Sequence, residues 1–184
     1  MSNLRMISRE ILHNFSHLPS VLSISRIVLT PVIWVLLNVH SSLAFPLYLI
    51  TCLTDFFDGK LARFLNSTSK NGAILDASAD FFLLSVGFYY YISIGLAPPS
   101  ILVFMTLSFL QYIITSRIPI DDHLGKHVGT ILYFLLAAMM LSPKTQSSTI
   151  TNFIALFYIS TSLIIRFYRI IIYICSKERT QKVE

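Results

Sequence analysis

Apolar residues run through this chain in six long blocks, roughly 20–39, 43–64, 73–96, 99–118, 127–142 and 149–174, joined by short polar links. A helix needs about 20 mostly apolar residues to cross a hydrocarbon core about 30 Å thick, so each block is predicted to span a membrane. Pro31 and Pro46 lie inside the first two blocks, where a membrane helix tolerates them. Ala97-Pro98-Pro99 reads as a helix break between the third and fourth. Ahead of the first block, Leu4, Ile7, Ile11, Phe15 and Leu18 recur at helical spacing, with Arg5, Arg9, Glu10 and His13 elsewhere around the wheel. That pattern predicts a helix lying in the membrane interface. The expected architecture is all-α and integral to the membrane: an interfacial amphipathic helix at 1–18, a six-helix domain at 19–175 and a basic cytoplasmic tail at 176–184.

Composition strengthens this picture. The chain is 54% hydrophobic and only 12% charged, with a mean hydropathy of +0.69, which argues against an ordinary soluble domain. A net charge of +5, scattered along the chain, does not suit a nucleic-acid partner. It sets topology instead. With the N-terminus in the cytoplasm, Arg5, Arg9, Lys60, Arg63, Lys70, Arg117 and Lys126 fall at cytoplasmic ends, joined by Lys177, Arg179 and Lys182. Lys144 alone falls on the other side. Both termini are therefore expected in the cytoplasm. Cys52 and Cys175 sit in apolar runs and read as free buried thiols. The first twenty residues carry Arg5, Arg9 and Glu10 without an unbroken apolar stretch, so no cleavable signal peptide is expected.

The candidate chemistry lies in Thr54–Asp80, which holds four of the nine acidic residues: Asp55, Asp58, Asp76 and Asp80. Carboxylates beside apolar runs are costly to desolvate and imply function. In the second helix Asp55, Asp58, Gly59, Ala62 and Arg63 share one face at about 100° per residue. In the third, Gly72, Asp76 and Asp80 are four apart and also share a face. Both sets lie toward the cytoplasmic side, so the four carboxylates are expected to converge on one shallow cavity. Without countercharge such acids repel one another and protonate. A divalent cation removes the conflict, and hard oxygen ligands favour Mg²⁺, Mn²⁺ or Ca²⁺. Gly59, Ala62 and Gly72 leave room for a ligand, and Arg63 offers a planar fork suited to phosphate. Together these groups suit phosphoryl transfer on a charged ligand.

The pattern D-x2-D-G-x2-A-R-x8-G-x3-D-x3-D, filled by Asp55, Asp58, Gly59, Ala62, Arg63, Gly72, Asp76 and Asp80, resembles the signature of the CDP-alcohol phosphotransferase (CDP-alcohol phosphatidyltransferase) family. LPSVLSISRIVLTPVI also resembles that family's first helix. The resemblance implies a homodimeric, six-helix enzyme of phospholipid biosynthesis, in a bacterial inner membrane, with its active site facing the cytoplasm. It implies CDP-diacylglycerol as donor, an alcohol acceptor and release of CMP. Asp55, Asp58, Asp76 and Asp80 would hold two divalent ions, Mg²⁺ or Mn²⁺, with Asp80 also the general base. Asp55, Gly59, Ala62, Arg63 and Gly72 would line the CDP-lipid site.

Among small members, the chain is most similar to phosphatidylglycerophosphate synthases, which implies glycerol 3-phosphate as acceptor. Arg117 and Lys126 are then the candidate acceptor-binding cations, and Leu124-Gly125-Lys126 resembles that subgroup's lysine site. The chain departs from the subgroup at Ser20, where Asn is usual, and at Phe81, where Lys is usual. Gln111 lies near the place of a fourth-helix arginine. Phosphatidylglycerol, inositol or inositol phosphate are the alternative acceptors. Outside this class, a cation transporter would spread its acids through the membrane depth, whereas these four lie toward one side. A membrane prenyltransferase would need more helices.

Overall fold

A computed structural model of the chain describes residues 18–64, 70–115, 125–141 and 145–181. All secondary structure among them is helical: α1 (Leu18–Asn38), α2 (Ala44–Phe64), α3 (Lys70–Ser93), α4 (Ser100–Thr115), α5 (Gly125–Leu141) and α6 (Thr145–Gln181). Each helix falls on one of the six apolar blocks. The expected interfacial helix lies outside the described residues, except that Leu18 opens α1. The last helix continues past its apolar block into the expected tail, as far as Gln181. The chain divides into two compact units, residues 1–86 and 87–184, with the boundary inside α3.

In the first unit α1 packs against α2. Arg26, Thr30, Ile33 and Leu37 form the buried face of α1, at i, i+4, i+7 and i+11. Val28, Val32 and Val35 are exposed on other faces. On α2 the buried positions are Ala44, Tyr48 and Thr51. The buried hydroxyls are satisfied within their own helices: Thr30 donates to the Arg26 carbonyl and Thr51 to the Leu47 carbonyl, each at 2.7 Å. The turn from α1 to α2 places His40 at a positive φ of 50°, closed by the Ser41 amide on the Leu36 carbonyl at 2.9 Å.

In the second unit α4 and α5 each pack on α6. The end of α3 is stopped by Gly95, whose φ of 76° suits glycine. There the Leu96 amide bonds the Tyr91 carbonyl at 2.8 Å and the Gly95 amide bonds the Ile92 carbonyl at 3.0 Å, a Schellman closure. Pro98 and Pro99 follow, and α4 starts at Ser100, as the proline pair predicts. The Asn152 side chain of α6 donates to the Leu96 carbonyl at 2.7 Å and so ties this turn down. At Gly87 the α3 backbone lies so close to α5 that a Cβ would stand 2.4 Å from a Leu136 methyl.

The distribution of polarity is inverted relative to a water-soluble fold. One stripe of α6, Ser148, Thr151, Asn152, Ser162 and Arg166 with Ala155 and Ile159, is buried. Phe153 and Phe157 are 71% and 73% exposed. Exposed large apolar side chains recur on all six helices, a surface that suits lipid and would aggregate in water. Gly72–Ser93 and Ser148–Ser176 are long and apolar enough to cross a membrane; the other apolar helices are shorter among the described residues. Neither cysteine forms a disulfide, but the expectation that both are buried is corrected: Cys52 is half-buried and Cys175 is exposed. No described residue of α6 beyond Arg166 is buried, so these last turns have no packed face to hide Cys175.

Candidate active site

The candidate site is built on the first half of α3. Gly72, Asp76 and Asp80 follow one another at single-turn intervals, so they share a helix face. Ala79 beside them is buried, and so are Leu83 and Leu84, which carry that face on one turn past Asp80. The two carboxylates meet one guanidinium from α1. Arg26 Nη2 donates to Asp76 Oδ1 and Nη1 to Asp80 Oδ1. The planar fork thus bridges acids one turn apart, a geometry a point-charge ammonium does not reproduce. Arg26 is fully buried, while the Asp76 and Asp80 side chains are 43% and 24% exposed. The guanidinium therefore lies on the protein side of the pair, and the carboxylates present the accessible surface. Two such acids on one face, partly open, are hard oxygen donors of the kind that suits Mg²⁺ or Mn²⁺. The residues present fit a divalent cation.

Asp55, Asp58 and Ala62 continue the helical register of Ala44, Tyr48 and Thr51 along α2, with Gly59 and Arg63 adjacent. Their side chains lie outside the described residues, as does that of Lys126 on the first turn of α5. Arg117 lies outside the described residues altogether. Among the described residues no group of three metal-binding side chains occurs. The structure thus brings together Gly72, Asp76 and Asp80. A cavity of about 440 Å³ in the second unit, between the α3–α4 turn and the start of α6, is lined by none of the signature residues.

Residues 16–171 match the CDP-alcohol phosphatidyltransferase family. The chain belongs to that family. Relatives named CDP-diacylglycerol–glycerol-3-phosphate 3-phosphatidyltransferase are among the proteins it is similar to. The Aquifex aeolicus protein is 42% identical over 81 residues, covering 40% of this chain and 44% of its own length. The Rickettsia typhi protein is 40% identical over 68 residues, covering 35% and 38%. A Mycobacterium bovis protein whose name proposes a cardiolipin synthase is 32% identical over 83 residues, covering 44% and 39%. The matches span only about two-fifths of the length of these curated relatives.

Sequence alone places Arg26 in the first apolar block without saying which way it faces. The structure decides for burial against Asp76 and Asp80. A signal was present: a lone arginine in an apolar helix requires an intramembrane partner, and by default marks a functional site. Arg166 is a second such group, inside the sixth apolar block. It is buried in the second unit, where Nη1 donates to the Ser108 carbonyl at 3.0 Å and the guanidinium carbon lies 6.0 Å from the Tyr112 ring centre. Near it Gln111, at the place of the expected fourth-helix arginine, donates through Nε2 to the Leu163 carbonyl at 3.4 Å.

Proposed function

We propose that this chain transfers a phosphatidyl group from CDP-diacylglycerol to an alcohol in phospholipid biosynthesis, releasing CMP, and that the acceptor is glycerol 3-phosphate. The observation that carries the reading is the bridged Asp76–Asp80 pair, standing inside a signature complete from Asp55 to Asp80. The names of the Aquifex and Rickettsia relatives support the acceptor. Asp55, Asp58, Asp76 and Asp80 hold the divalent cations, two per site, Mg²⁺ or Mn²⁺. When bound, these neutralise the diphosphate and the leaving CMP. Asp80 takes the proton of the acceptor hydroxyl as its oxygen bonds the phosphorus on the lipid side. The phosphorus–oxygen bond to CMP breaks, and CMP leaves with the bonding pair. Asp55, Gly59, Ala62, Arg63 and Gly72 line the CDP-lipid site, and Arg117 and Lys126 meet the acceptor phosphate.

The same reading makes the protein a homodimer with six spans in a bacterial inner membrane, with both termini and the site cytoplasmic. The apolar surface on every helix and the one-sided basic residues support it. A second reading keeps the reaction and changes the acceptor to phosphatidylglycerol, giving cardiolipin. It is favoured by Phe81 and by the Gln111 amide held on a backbone carbonyl, which leave two subgroup positions without a cation. CMP release from CDP-diacylglycerol and Mg²⁺, with each acceptor in turn, tests both. Release with glycerol 3-phosphate alone is expected. Release with phosphatidylglycerol alone selects the second reading, and protein that binds no CDP-lipid sinks both.

A further inference from the structure

We propose that Arg26 is a positioning residue for the Asp76–Asp80 pair. Its guanidinium holds the two carboxylates in one arrangement on the α3 face and offsets their charge until a divalent cation arrives. The last step rests on the metal reading above. Side chains four apart on a helix have Cβ atoms about 5–6 Å apart, a span the two terminal nitrogens of one guanidinium bridge. Arg26 meets one oxygen of each acid. It does so from the buried side, on a face of α1 whose other buried members, Thr30, Ile33 and Leu37, carry no charge. An arginine that is itself hidden and whose partners are partly open acts through those partners rather than on a substrate. It stands to the carboxylates as the outer partners of metal ligands do, setting their direction. Its loss would remove the guanidinium that meets one oxygen of each acid.

Two measurements on the full chain in lipid nanodiscs test this. The first is Mn²⁺ binding to metal-free protein, read by electron paramagnetic resonance. Arg26→Gln and Arg26→Lys are each expected to weaken binding about 10- to 100-fold, because lysine keeps the charge but not the fork. Unchanged or tighter binding would overturn the proposal. The second is the melting temperature in EDTA of Arg26→Met, of Asp76→Leu with Asp80→Leu, and of the three changes combined. The first two are expected to lower it, and the combination to recover most of the loss, since the guanidinium and both carboxylates are then removed together. Should Arg26→Met fail to accumulate, recovered accumulation of the triple variant is the same readout. Additive losses would show that Arg26 acts through other groups and would overturn the clamp. A wild-type protein that binds no Mn²⁺ would overturn the metal reading and the last step, leaving the EDTA series to judge the clamp by itself.

Discussion

At the scale of single residues, Asp80 combines proposed chemical roles with a structural one, and substitutions separate the two kinds. It is the proposed proton acceptor and a proposed metal ligand, and it is half of the pair that meets the two Nη groups of the fully buried Arg26. Asp80→Asn keeps an oxygen that can accept from Nη1 but loses the charge. Its kcat is expected to fall about 10²- to 10⁴-fold, with the melting temperature nearly unchanged. Asp80→Leu removes the acceptor as well and is expected to cost about 1.5–3 kcal/mol of stability besides. Comparing CMP release with thermal unfolding for the two variants checks the separation. Near-normal turnover in Asp80→Asn would remove Asp80 from the mechanism.

At the scale of elements, close approach and buried hydrogen bonds hold the second unit where hydrophobic contrast cannot. Gly87 meets the buried Leu136 so closely that any Cβ forces a shift. Gly87→Val is expected to cost about 1–3 kcal/mol. Combined with Leu136→Ala it should cost less than the two changes summed, because the valine fills the space the leucine vacates. Thermal unfolding of the three variants checks the coupling. Asn152 is the second device, since its amide satisfies the Leu96 carbonyl in the turn after α3. Asn152→Leu leaves that carbonyl without its side-chain donor, at an expected cost of about 1–3 kcal/mol. Faster proteolysis between Gly95 and Ser100 should accompany it.

At the scale of the whole molecule, the one-sided basic residues predict orientation. With both native cysteines replaced, Lys182→Cys is expected to react with a membrane-impermeant thiol reagent only from the cytoplasmic face. Lys144→Cys should react only from the other. Labelling in intact cells against inverted vesicles checks this. Reaction of both positions from the same side would exclude an arrangement with six spans and a cytoplasmic C-terminus.

What the sequence determined by itself was local. Six helices follow from six apolar blocks, the α3–α4 break from Pro98-Pro99, and the shared faces of the signature residues from helical repeat alone. The family was legible in the same signature, because its fixed positions lie close together in the chain and resemble the family's pattern. What only the tertiary structure decided was which way each side chain faces. In a helix apolar all round, the lipid-facing and packed sides have the same polarity, so periodicity cannot tell them apart. Neighbouring tyrosines show it: Tyr89 is exposed, while Tyr90 and Tyr91 are buried. The partner of Arg26 is 50 and 54 residues away in the chain. No local pattern pairs charges at that distance; they meet because α1 and α3 are brought together, and burial then makes those ion pairs costly to break.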